Sequence, residues 1–177
     1  MSYNRSKFKK KVFKVDGVKI KNAKKQTIDG INFRSGLEAF FYSEAKKAGL
    51  TGFKYEDKKF ILQDKFVSTS SGMELYEKTP EVNGVPIKGA KRKTIYGEVT
   101  NNIRTITYTP DFICIDEESK TGWVVETKGW RMETFKIKWK MFKKHLKDNG
   151  YVVSLYTPNT KENVLKTIQS IKSKYYT

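Results

Sequence analysis

A chain of 177 residues is of a size for one domain with a full core, and its 14% aromatic content and periodic apolar segments exclude disorder despite 31% charged residues. A net charge of +17 points to a polyanionic partner, either nucleic acid or an anionic membrane surface. No run of about 18 apolar residues is present to span a bilayer, the first residues lack the apolar core of a secretory signal, and the single Cys114 cannot form an internal disulfide, so an intracellular, reducing compartment is expected.

Residues 1–25 form a basic arm in which Lys9, Lys10, Lys11 and Lys14 are interleaved with Tyr3, Phe8 and Phe13. Such an arm suits salt-sensitive, sequence-independent contact with a phosphate backbone; a solvated tail is the alternative. Asp16-Gly17 and Asp29-Gly30, each between short β-prone runs, are expected hairpin turns. Ser35-Gly-Leu-Glu38 opens a helix that runs to about Ala48 and stops at Gly49, with Leu37, Phe41, Ala45 and Ala48 as its apolar stripe. Ser35 and Glu38 have the spacing of a capping box, which by itself accounts for the glutamate.

Phe53 to Tyr55 and Phe60 to Leu62 read as strands, whereas residues 64–102 are punctuated by Gly72, Pro80, Asn83-Gly84, Pro86 and Gly89. That stretch is too long for a plain loop in a compact domain and reads as an inserted arm with β structure around Thr94 to Val99, suited to contacting a partner chain or substrate; its basic Lys91, Arg92 and Lys93 are expected on DNA. A strand over Ile103 to Tyr108 leads to Pro110, a residue for strand edges. After the central hairpin come a helix from Glu133 to Asn149 with Phe135, Trp139, Phe142 and Leu146 on one face and Lys136, Lys140 and Lys143 outside it, expected to contact DNA phosphates with a solvated face as the alternative, then a strand from Tyr151 to Tyr156. Asn159 and Glu162 are expected to cap a last helix that faces Val164, Leu165, Ile168 and Ile171 inward. Cys114 reads as a small core residue and His145 as an incidental helix residue.

The central hairpin pairs Phe112 to Asp116 with Trp123 to Lys128 across a polar turn. Pairing Asp116 with Trp123 sets Asp111 opposite Lys128, and a two-residue slip sets it opposite Glu126. In both registers Asp111, Glu126 and Lys128 share one face, because side chains alternate along a strand. Two adjacent carboxylates need a cation or a proton to offset their repulsion and desolvation, and such oxygen ligands suit Mg²⁺ or Mn²⁺. A surface ion cluster at the hairpin mouth is the plainer reading of the same spacing.

With these elements in order, the chain resembles the PD-(D/E)XK nuclease superfamily, and within it the phage endonuclease I type of Holliday junction resolvase. Ser35-Gly-Leu-Glu38, Tyr108-Thr-Pro-Asp-Phe112 and Val125-Glu-Thr-Lys-Gly129 look like its motifs, in the same order. The resemblance implies an α/β domain with a central mixed β-sheet flanked by helices, and a Mg²⁺-dependent endonuclease for which Mn²⁺ substitutes. It implies Asp111, Glu126 and the Thr127 backbone carbonyl as metal ligands, Glu38 as a supporting ligand and Lys128 as the catalytic lysine. Branched DNA as substrate, a homodimer with an intertwined sheet, and the cytoplasm of a bacterial host follow from the same resemblance, while no membrane role is expected because the apolar face of the basic helix is committed to the core. A nicking, repair or restriction-type enzyme acting on linear duplex, or a catalytically silent DNA-binding protein of the same fold, are the readings it competes with.

Overall fold

The computed structural model describes residues 25–69, 72–98, 102–128 and 133–176. Lys9, Lys10, Lys11 and Lys14, the turn expected at Asp16-Gly17, and Gly129 lie outside the described residues. The first described pair is β1 (Gln26–Ile28) with β2 (Ile31–Phe33), turning at Asp29-Gly30 as expected and leading straight into α1 (Gly36–Lys47).

The centre of the molecule is a four-stranded mixed sheet. Its order is β14 (Val152–Tyr156), β13 (Thr121–Val125), β12 (Phe112–Asp116) and β3 (Lys54–Tyr55). β12 and β13 are antiparallel with Phe112 opposite Val125 and Asp116 opposite Thr121, which is the second of the two registers anticipated above. β14 returns parallel to β13 by way of α2 (Glu133–Asp148), the long crossover that a parallel pair requires.

Both faces of this sheet are buried, so β12 and β13 carry nearly continuous apolar runs. Phe112, Trp123 and Val125 pack on one face against Phe41 and Ala45 of α1 and against Val164, Ile168 and Ile171 of α3 (Lys161–Tyr175). Ile113 and Val124 pack on the other face with Phe135, Phe142 and Leu146 of α2. The described chain is therefore a mixed α/β fold with helices on both faces of a mixed sheet. Among the described residues no helix is long and apolar enough to cross a membrane.

Four sequence expectations change. β13 ends at Val125, so Glu126 to Lys128 form an extended exit rather than strand. The last helix is capped by Thr160, whose hydroxyl accepts from the Asn163 amide, while Asn159 bonds only the Asn163 side chain. Leu165 is 48% exposed, because Thr167 takes the inward position between Val164 and Ile168. The strand expected over Ile103 to Tyr108 is broken into β10 (Asn102–Ile103) and β11 (Ile106–Tyr108).

The unread middle segment is a run of antiparallel pairs. β4 (Phe60–Gln63) pairs with β11, β5 (Phe66–Val67) with β10, β6 (Met73–Lys78) with β9 (Lys93–Glu98), and β7 (Glu81–Val82) with β8 (Val85–Pro86). Asn83-Gly84 closes the last pair with φ of 51° and 77°, the backbone that a two-residue hairpin turn demands. Val67, Leu75, Val82 and Tyr96 are exposed along this two-stranded ribbon, and among the described residues no third strand or helix buries them.

Candidate functional site

Three chain segments meet where β12 begins and β13 ends. The first is the N-terminus of α1. Ser35 caps it, accepting the Glu38 amide at 3.3 Å and donating its hydroxyl to Glu38 Oε1 at 2.8 Å. Glu38 Oε2 accepts the Arg34 amide at 2.8 Å and the Tyr55 hydroxyl at 2.6 Å. The capping role read from the sequence is therefore present, and it fixes the carboxylate at the end of the sheet.

Asp111 enters after Pro110, just before β12. Its carbonyl accepts the Glu56 amide at 2.9 Å, and its Oδ2 accepts both the amide (2.7 Å) and the hydroxyl (2.8 Å) of Thr127. Glu126 follows β13 directly. Its amide donates to the Tyr156 carbonyl of β14, its Oε2 accepts the Tyr108 hydroxyl at 2.7 Å, and its Oε1 accepts Lys128 Nζ at 2.9 Å. Lys128 lies over the Phe135 ring, with Nζ 5.5 Å from its centroid, and its amide donates to the Pro158 carbonyl.

Glu38, Asp111 and Glu126 are only 6%, 3% and 2% exposed. Burial, then the negative charges of Glu126 and Glu38, push the Asp111 carboxyl up from 3.8 to about 7, against the pull of Thr127 and Lys128. Burial draws the Lys128 ammonium down, but the charge and hydrogen bond of Glu126, joined by Asp111, outweigh it and hold its pKa above the usual lysine value. Burial and the Glu38 hydrogen bond push Tyr55 up to about 12, and burial with Glu126 raises Tyr108 as well, so both phenols stay protonated as donors. Three buried carboxyl groups thus face one partly exposed ammonium, and Asp111 is the one whose ionisation burial and its acidic neighbours oppose. That is not a surface ion cluster.

Every residue expected at the site is gathered here: Glu38, Asp111, Glu126, Thr127 and Lys128. Among the described residues, no three His, Cys, Asp or Glu side chains are arranged so that they could hold a metal ion as they stand. The donor chemistry nevertheless suits a hard divalent cation, since anionic oxygens short of positive charge are what such ions take. Of the basic residues expected on DNA, Lys91, Arg92 and Lys93 lie exposed on the ribbon, and Lys136, Lys140 and Lys143 lie exposed on α2. His145 rests its ring edge-on against Phe60 and belongs to the helix packing.

The sequence reading missed Tyr55, Tyr108, Phe135 and Arg34, each of which touches a charged member of the site or its rim. The signal available for Tyr108 was its place beside Pro110 and Asp111; Tyr55 and Phe135 looked like ordinary core aromatics. In comparison with known proteins, residues 17–161 match a family described as Protein of unknown function (DUF1064). No curated protein and no solved structure matches the chain.

Proposed function

We propose that this chain, which belongs to the DUF1064 family of proteins of unknown function, is a metal-dependent endodeoxyribonuclease of the PD-(D/E)XK type that acts on branched DNA. The observation that carries the reading is the buried carboxylate set at the end of the central strands, with the Asp111 carboxyl pushed up to about 7 by burial and by the charges of Glu126 and Glu38. Asp111, Glu126 and the Thr127 carbonyl would hold Mg²⁺ or Mn²⁺, with Glu38 supporting, and the ion would supply an acidified water and charge neutralisation at a phosphate. The sequence motifs in order and a net charge of +17, suited to a nucleic-acid backbone, support the same choice of substrate.

The protein groups have separable tasks in this scheme. Lys128, charged and held at 2.9 Å from Glu126 over the Phe135 ring, orients the attacking water and offsets charge that builds on the phosphoryl oxygens. Tyr108 and Tyr55 hold Glu126 and Glu38 in place by hydrogen bonds, so neither carboxylate has to be ordered when substrate arrives. Thr127 does the same for Asp111 with two donors. Exposed lysines on α2 and on the ribbon supply backbone contacts.

The test is cleavage of a labelled four-way junction and of its linear arms, at equal length, in Mg²⁺ or Mn²⁺ by the wild type and Glu126→Ala. Paired cuts in the junction by the wild type alone are expected. Failure to nick junction, flap or duplex, or full activity in Glu126→Ala, would overturn the reading, and preference for the linear arms would replace branched DNA with duplex as substrate.

A further inference from the structure

The rim of the carboxylate site carries an ion pair that the scheme above leaves without a task, between Arg34 and Glu56. Both of its backbones are anchored to the site: the Arg34 amide donates to Glu38 Oε2 at 2.8 Å, and the Glu56 amide donates to the Asp111 carbonyl at 2.9 Å. The Arg34 side chain is 65% exposed, so its guanidinium stands in solvent at the mouth rather than inside the cluster. Glu56 occupies the left-handed region with φ of 47°, a conformation unusual for a glutamate, which the bond to Asp111 helps to hold. The positive charge of Arg34 is felt at Lys128.

A phosphodiester approaching three carboxylates is repelled unless cations at the rim receive it. Lys128 is engaged by Glu126, whereas the exposed Arg34 guanidinium is met by the half-buried Glu56 carboxylate, an acid that a phosphate can displace, and by the Tyr55 hydroxyl. A guanidinium matches phosphate oxygens with two parallel hydrogen bonds. We propose that Arg34 binds a backbone phosphate of the nucleic acid seated at the carboxylate site, and that Glu56 is the competing counterion that gives it up. The proposal rests on the phosphodiesterase reading of the site. It makes the two partners of one ion pair act with opposite sign: removing Arg34 weakens binding, and neutralising Glu56 strengthens it. An ion pair that merely fastens the rim would make both changes act alike.

The experiment measures binding of a labelled four-way DNA junction to the full chain in Ca²⁺ at several salt concentrations, together with cleavage by each protein in Mg²⁺. Arg34→Ala is expected to weaken binding about tenfold and to flatten the salt dependence by about one phosphate contact, with Arg34→Lys intermediate. Glu56→Gln is expected to tighten binding about threefold, while the melting temperatures of Arg34→Ala and Glu56→Gln fall together and slightly. Binding by Arg34→Ala equal to wild type, or weakening in both variants, overturns the proposal. If wild type cleaves and Arg34→Ala binds normally, Arg34 alone is excluded; if the opposite shifts are seen without cleavage by wild type, the phosphate contact stands and the nuclease reading falls.

Discussion

Tyr108 and Lys128 hold the two oxygens of Glu126 between them, a phenol on one and an ammonium on the other. Replacing Tyr108 by Phe leaves a buried carboxylate oxygen without its donor, so it is expected to cost about 1–3 kcal/mol in urea unfolding and to lower cleavage at the same time. Asp111 gives a second prediction. Because its folded pKa is raised from 3.8 to about 7, the folded protein keeps a proton that the unfolded chain releases between those values. Its contribution to stability is therefore full at low pH and is lost as pH rises through about 7. Thermal melts of the metal-free protein from pH 5 to pH 8 should fall more steeply for the wild type than for Asp111→Asn. Adding Mn²⁺ should raise the melting temperature more at pH 8 than at pH 5, because the ion replaces a proton that Asp111 has already lost.

The β12–β13 hairpin shows how far a strand pattern carries an argument and where it stops. Parity alone placed Asp111, Glu126 and Lys128 together, since a period of two survives a two-residue slip and only a one-residue slip would separate them. Nothing in that periodicity could find Tyr55 or Tyr108, whose hydroxyls reach Glu38 and Glu126 across 17 and 18 residues of chain. Alternation also could not read the ribbon, because exposed pairs such as Leu75 with Tyr96 carry apolar residues toward solvent and break the rule that apolar means inward. Leu165 failed for a related reason: an apolar residue beside the helical stripe looks like a member of it until the neighbouring helix is placed. The hairpin's own weak point is Gly122, with φ of 144°, where a Cβ would stand 2.1 Å from the Cys114 carbonyl oxygen. Gly122→Ala should cost more than about 2 kcal/mol, read as a lower urea midpoint with an unchanged slope.

At the scale of the whole molecule, two features set how it meets other molecules. The net charge of +17 predicts DNA binding that weakens steeply with salt, which a titration from low to physiological ionic strength will show as a linear fall of log affinity with log salt. The ribbon is the other. Two strands alone are marginally stable, and its exposed Val67, Leu75 and Tyr96 call for a covering surface. A second copy of the chain is the expected cover. The wild type should therefore have the solution mass of a dimer, and excising residues 68–101 in favour of a short turn between β5 and β10 should give a monomer whose central sheet is intact by circular dichroism.

β13 lies between an antiparallel neighbour and a parallel one, with Trp123, Val124 and Val125 all but fully buried. Its amides are bonded within the best-protected part of the fold and should exchange with solvent only when the whole domain opens, while those of the ribbon exchange through local opening. Glu126 is the next residue along, so the carboxylate cluster is mounted on the element expected to come apart last. A protease cut in the ribbon would then leave a nicked protein whose carboxylates still stand in place.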